Sequence, residues 1–147
     1  DPILPSEIIE LDKHFETSLQ ELILNLKKFN PPTLVGSSGT FDTLSEIHSI
    51  RQSIHYREEN SETPLTHESF YTIYKEFISK NRAERLLIPG MIEMRVDMIV
   101  VACCLIRFLL EQNTFRNLRI STYSLKEGVL ASLTPPLPSP NGEGWVG

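Results

Sequence analysis

Large apolar residues from Ser6 to Phe29 fall at Ile8, Leu11, Phe15, Leu19, Leu22, Leu26 and Phe29, in steps of three or four. That period predicts one amphipathic helix, with Pro5 ahead of it and Ser6 as its N-cap. Pro31-Pro32 stops it. Thr33-Leu34-Val35 then reads as a short strand ending at Gly36, and from Thr40 onward helical spacing returns through Phe41, Leu44 and Ile47 or Ile50. Arg51 to Pro64 is polar and predicts a surface connection in which Glu58, Glu59 and Glu62 are solvated. Thr66 caps a second amphipathic helix carrying Phe70, Ile73, Tyr74, Phe77 and Ile78 on one face, running towards Leu87 and ending at Pro89-Gly90. Glu93 to Gln112 predicts a helix apolar almost all round, which belongs in the middle of a protein. Leu118 to Thr122 is a second short strand candidate and Leu125 to Leu133 a final helix.

Short strands followed by helices predict an α/β layer fold with parallel pairing. Two strands cannot cover so apolar a helix, so the segment reads as part of a larger sheet. The last 14 residues, Thr134 to Gly147, hold four of the ten prolines and three of the seven glycines, together with the only tryptophan, Trp145. They lack any hydrophobic period, and predict a disordered, polyproline-like tail that is either a ligand for a partner domain or an extension without function. The organisation expected is therefore a domain over residues 1–133 and a tail over 134–147.

Composition narrows the function. The 147 residues are 40% hydrophobic and 22% charged, enough for one domain with a core of its own. A formal net charge of −5 disfavours DNA or an anionic membrane as partner. Asp1 to Leu11 has no secretory signal, and the apolar run Met98 to Ile106 is too short to span a bilayer. Cys103 and Cys104, adjacent in that run, read as small core residues in a reduced, cytoplasmic setting. His14, His48, His55 and His67 lack metal-ligand spacing and read as surface or interface residues.

One stretch suggests chemistry. Val35-Gly36-Ser37-Ser38-Gly39-Thr40 lies between a strand and a helix, where glycines admit close backbone approach, hydroxyls donate, and helix N–H groups attract anions. It is neither a Walker loop nor a dinucleotide fingerprint. A tight turn with Thr40 as N-cap accounts for the same residues. Arg95 and Asp97 open the buried helix, either as an exposed start with Asp97 favoured by the helix dipole or with a cation aimed into a cleft. Lys126-Glu127-Gly128 follows the second strand, where open α/β sheets bind ligands, and reads equally as a solvated turn.

Taken in order, VGSSGT, EMRVDMIVVACCLIRFLLE and LRISTYSLKEGVL resemble the second half of the exopolyphosphatase and guanosine pentaphosphate phosphohydrolase (Ppx/GppA) family. The resemblance covers Asp1 to Leu133, and DPILPSEI is similar to the family's lead-in to this region. It implies an α/β chain, mostly helical with two short parallel strands, forming an incomplete second domain of the actin-like ATPase, ribonuclease H-like fold. It further implies that Gly36, Ser37, Ser38, Gly39 and Thr40 form a phosphate-binding loop facing an interdomain cleft. Arg95 would be a further phosphate contact, and Lys126 and Glu127 possible cleft contacts. Ala102 and Ser124 stand where the family commonly has glycine, and Lys126 stands for an arginine, exchanging a bidentate fork for a point charge. Ala102 is expected only to tighten packing.

The family's catalytic glutamate and acidic metal ligands match no position here. No residue of the chain is therefore assigned as catalytic or as a metal ligand. The implied whole is a cytoplasmic, homodimeric, Mg²⁺-dependent phosphatase acting on polyphosphate or guanosine penta- or tetraphosphate, of which this chain is a fragment inactive alone. The competing expectation is a non-catalytic phosphate- or nucleotide-binding module, or a dimerisation module.

Overall fold

The computed structural model describes residues 1–55 and 60–133. The expectations for Glu58-Glu59 and for the tail with Trp145 fall outside these residues.

The first predicted helix is two: α1 (Pro5–Ser18) and α2 (Gln20–Phe29). The break at Leu19 (φ −110°, ψ 19°) changes the helical phase. In α2, Ile23 and Leu26 consequently pack on the core, while Leu22 and Phe29, placed on that face by the simple repeat, are exposed. Nor does Ser6 cap α1. Leu4 holds the cap position, Pro5 starts the helix, and the Leu4 N–H donates to the Glu7 carboxylate at 2.7 Å. Asn30, left-handed at φ 44°, ends α2.

Strand β1 (Thr33–Ser37) runs one residue past Gly36 and leads through the Ser38-Gly39 turn to α3 (Thr40–Gln52). The connection predicted to follow as wholly irregular contains a short strand, β2 (Glu62–Thr63). Glu62 there is exposed as expected and also paired: its carboxylate accepts from Arg119 Nε at 2.7 Å and meets the same guanidinium through a second contact. Helix α4 (His67–Ser79) is capped as expected: the Thr66 hydroxyl accepts from the Ser69 N–H at 3.1 Å, and Phe70, Ile73, Tyr74 and Phe77 are buried. It does not continue to Leu87. Asn81 and Glu84 form a reciprocal capping box (3.1 and 2.8 Å) that starts a separate short helix, α5 (Arg82–Leu86).

The apolar segment also starts late. Glu93–Arg95 is a single 3-10 turn, and α6 covers Ile99–Gln112. It packs between α1 and α4, with further contacts to α2 and α3, so helices rather than a larger sheet supply most of its cover. Phe15 of α1 meets Phe108 of α6 with ring centroids 5.5 Å apart. Arg107, which interrupts the apolar run, pairs with Asp12 of α1 and with Glu111 at 2.7 Å, its guanidinium 6.0 Å from the Tyr74 ring. A charge in the middle of the helical layer is thus matched by carboxylates. Cys103 and Cys104 are buried free thiols, both pushed up by desolvation. His48 is buried rather than superficial, and burial lowers its pKa.

Strand β3 (Asn117–Ser121) completes a three-stranded sheet of order β1-β3-β2. β1 and β3 are parallel, from Thr33 opposite Asn117 to Ser37 opposite Ser121. β2 adds antiparallel to β3, making the sheet mixed rather than the two parallel strands expected. The Pro32 carbonyl accepts from the N–H groups of Arg116 and Asn117, which fixes the β1–β3 register at its start. Helix α7 (Leu125–Leu133) closes the described chain. Among the described residues no helix is long and apolar enough to cross a membrane.

Candidate functional site

Parallel pairing puts the ends of β1 and β3 at one edge of the sheet, so the loops leaving Ser37 and Ser121 start side by side. This is the edge at which open α/β sheets bind ligands. The turn after β1 is strained in a specific way: Ser38 and Gly39 both have positive φ, 61° and 54°. Gly39, not Thr40, holds the cap position of α3. No side chain caps that helix among the described residues, which overturns the reading of Thr40 as a simple N-cap. Thr40 is instead the first helical residue. The Gly39 carbonyl accepts from the Thr43 N–H and hydroxyl, each at 3.3 Å. A thirteen-residue helix thus opens with no side-chain cap hydrogen bond, and the acid of its first turn is Asp42.

Arg95 completes the arrangement. A Cβ on Gly39 would lie 2.7 Å from Arg95 Nη1, so the guanidinium rests against the loop exactly where glycine leaves room for it. Ser37 to Phe41, Arg95 and one flank of α6 (Ala102, Leu105, Ile106) enclose an open cavity of about 360 Å³. Ala102 therefore contributes to the wall of this cavity as well as to packing. Among the described residues Arg95, like Arg116, has no carboxylate partner, whereas Arg51, Arg82, Arg85, Arg107 and Arg119 all have one. Gly36 serves a different end from the one expected. It is buried, and a Cβ there would come within 2.3 Å of the Phe41 ring, so its smallness seats an aromatic side chain rather than a ligand.

Neither Arg95 nor Asp97 belongs to α6. Arg95 ends the 3-10 turn, and Asp97, ahead of α6, is paired with Arg82 Nε at 3.0 Å. Lys126 and Glu127 are not among the residues lining the cavity. The Glu127 carboxylate accepts from the Ser124 N–H (2.8 Å) and hydroxyl (2.7 Å) and pairs with Lys126 at 3.3 Å. Ser124 thereby makes a Ser-x-x-Glu cap for α7, a signal present in the sequence. The Ser124 hydrogen bonds hold the Glu127 carboxyl down at about 2. A lowered carboxyl favours the folded cap above its ordinary value of 4.5, and the effect is lost as pH falls through about 2. Exchange protection of the Ser124 amide should therefore persist at pH 4.5 and vanish near pH 2, whereas Glu127→Gln should abolish this pH dependence.

Donors that no described carboxylate pairs with suit an anion rather than a cation. Among the described residues there is no group of three or more His, Cys, Asp or Glu that could hold a metal ion. The chain is thus an α/β domain in which a glycine turn at a parallel strand end, a helix start without a side-chain cap and an arginine without a described carboxylate partner come together.

The sequence profile of the Ppx/GppA phosphatase family matches residues 1–136, and the chain belongs to that family. It is similar to the crystal structure of an exopolyphosphatase from Cytophaga hutchinsonii, with 36% identity and a TM-score of 0.84 over 90% of this chain and 43% of that one. The Ppx/GppA family member from Aquifex aeolicus shares the fold at 23% identity, with a TM-score of 0.68 over 90% of this chain and 42% of that one. A type II variant of the Aquifex aeolicus Ppx/GppA phosphatase aligns at 23% identity and a TM-score of 0.57, over 88% and 47% of the two chains. The chain thus spans less than half the length of these solved relatives. No match was found among curated proteins.

Proposed function

We propose that this chain supplies the phosphate-binding side of a cleft in a phosphatase that removes terminal phosphate from inorganic polyphosphate or from guanosine penta- or tetraphosphate. The observation that carries this reading is the Arg95 guanidinium seated against the Gly39 turn without a carboxylate partner among the described residues. Phosphoryl transfer spreads negative charge over the oxygens of the moving group, and fixed donors that meet that charge lower the barrier. The loop N–H groups and Arg95 are such donors, and Ser37, Ser38 and Thr40 add hydroxyls.

In this reading the chain is an incomplete second domain of the actin-like, ribonuclease H-like fold, in a cytoplasmic homodimer. The base that orients water, and the Mg²⁺ that neutralises charge, are held by residues of another part of the intact enzyme. Isolated chain is then expected to release no phosphate from polyphosphate. Phosphate release by purified chain, abolished by Arg95→Ala and therefore not a contaminant, would overturn the fragment reading. The exposed apolar residues Leu125, Val129, Leu130 and Leu133 of α7 favour a second role in docking another domain or copy.

A further inference from the structure

Glu93 and Asp97 stand two residues before and two residues after Arg95, in the run Glu93-Met94-Arg95-Val96-Asp97. A guanidinium flanked in this way has two carboxylates within easy reach, and pairing with either would withdraw it from an anion. Both acids are instead directed to Arg82. Its Nε lies 3.0 Å from Asp97 Oδ1 and its Nη2 4.0 Å from Glu93 Oε1. We propose that Arg82 is a positioning residue for the phosphate site, engaging the two acids that flank Arg95 so that the Arg95 guanidinium stays available to phosphate.

The local structure delivers Arg82 to that place. The reciprocal capping box of Asn81 and Glu84 fixes the start of α5, and the Arg82 N–H itself donates to the Asp1 carboxylate. One turn on, the buried Arg85 is held by Asp1 at 2.9 and 3.2 Å and by the carbonyl of Phe77 at 3.4 Å. On the other side, the 3-10 turn sets the spacing of the acids, with the Val96 N–H donating to the Glu93 carbonyl and the Met98 N–H to that of Arg95. The Arg82, Glu93 and Asp97 side chains are 47%, 80% and 65% exposed, so these pairs add little to stability. Their consequence is the choice of partner left to Arg95. This inference rests on the phosphate-site reading above and adds a residue outside the cavity wall to it.

The test is titration of the 147-residue chain with inorganic tripolyphosphate, followed by the Arg95 side-chain Nε–H resonance. Arg82→Gln is expected to weaken binding about fivefold, the size of an exposed ion pair set free to compete. It should also move the Arg95 Nε–H resonance before any ligand is added. Arg82→Gln with Asp97→Asn should return the affinity to within about twofold of the starting protein, and Arg82→Lys should retain most of it. Arg116→Gln removes the same charge at the opposite end of β3 and should do neither. Unaltered affinity in Arg82→Gln, or no recovery in the double variant, overturns the proposal, since a general loss of folding would not be reversed by Asp97→Asn. If Arg95→Ala weakens binding and Arg82→Gln does not, the positioning role alone fails. If Arg95→Ala binds as tightly as the starting protein, the phosphate-site reading fails with it.

Discussion

Arg95→Ala should weaken tripolyphosphate binding at least about tenfold, because a hydrogen bond to a charged group contributes about 1.5–3 kcal/mol and 1.4 kcal/mol is a factor of ten. Stability should change by less than about 0.5 kcal/mol, since a partly buried arginine with no ion-pair partner among the described residues leaves no unpaired carboxylate behind. Calorimetry on the folded variant checks the first statement and a urea melt the second. Arg95→Lys should recover part of the affinity only, since an ammonium keeps the charge but loses the planar fork that grips two phosphate oxygens. A variant losing stability and binding together would instead make Arg95 a structural residue of the 3-10 turn.

The largest expected effect on folding comes from Gly36→Val. Any side chain at Gly36 enters the space of the Phe41 ring, whose Cγ and Cδ1 both lie 2.3 Å from an added Cβ. Those atoms are close to the Phe41 backbone and cannot swing away like the tip of a long chain. Overpacking of this kind costs about 3 kcal/mol, measured by urea denaturation. In a Phe41→Ala background the same substitution should cost much less, because the clashing ring is gone. Equal costs in both backgrounds would show that backbone geometry, not the ring, requires glycine here. Phe41 also borders the cavity, so displacing its ring disturbs the site along with the fold.

Much of this was legible where periodicity is long and unbroken. Helix α4, with Thr66 as its cap and Phe70, Ile73, Tyr74 and Phe77 inside, follows from hydrophobic spacing alone. The parallel β1–β3 pair followed from strand-then-helix order. What escaped was set by single residues or by distant ones. The phase change at Leu19 carries no composition signal, and it exchanged Leu22 and Phe29 for Ile23 in the core. β2 has two residues, too few for any alternation, and is held by its neighbour through Arg119. The Asn81-x-x-Glu84 capping box was in the sequence, but lay inside a pattern that still looked helical.

The candidate site shows the same division. Glycines and hydroxyls between strand and helix pointed to the loop, and resemblance to the family singled out Arg95. Their meeting depends on tertiary packing, because Gly39 and Arg95 are far apart in the chain and come together only in the folded molecule. Spacing alone could not separate Gly36, which accommodates a ring, from Gly39, which accommodates a guanidinium. Composition was silent on local charge as well. A chain of net charge −5 nonetheless sets the Arg95 guanidinium, without a described counter-charge, against the Gly39 turn.

The most direct measurement is a tripolyphosphate titration of the ¹⁵N-labelled chain, read residue by residue. Saturable shifts confined to the amides of Ser38, Gly39 and Thr40 and to the Arg95 side chain are the predicted result. Shifts centred on Lys126 and Glu127, or no saturable shift at the Gly39 turn, would contradict a phosphate site built from this loop and this arginine.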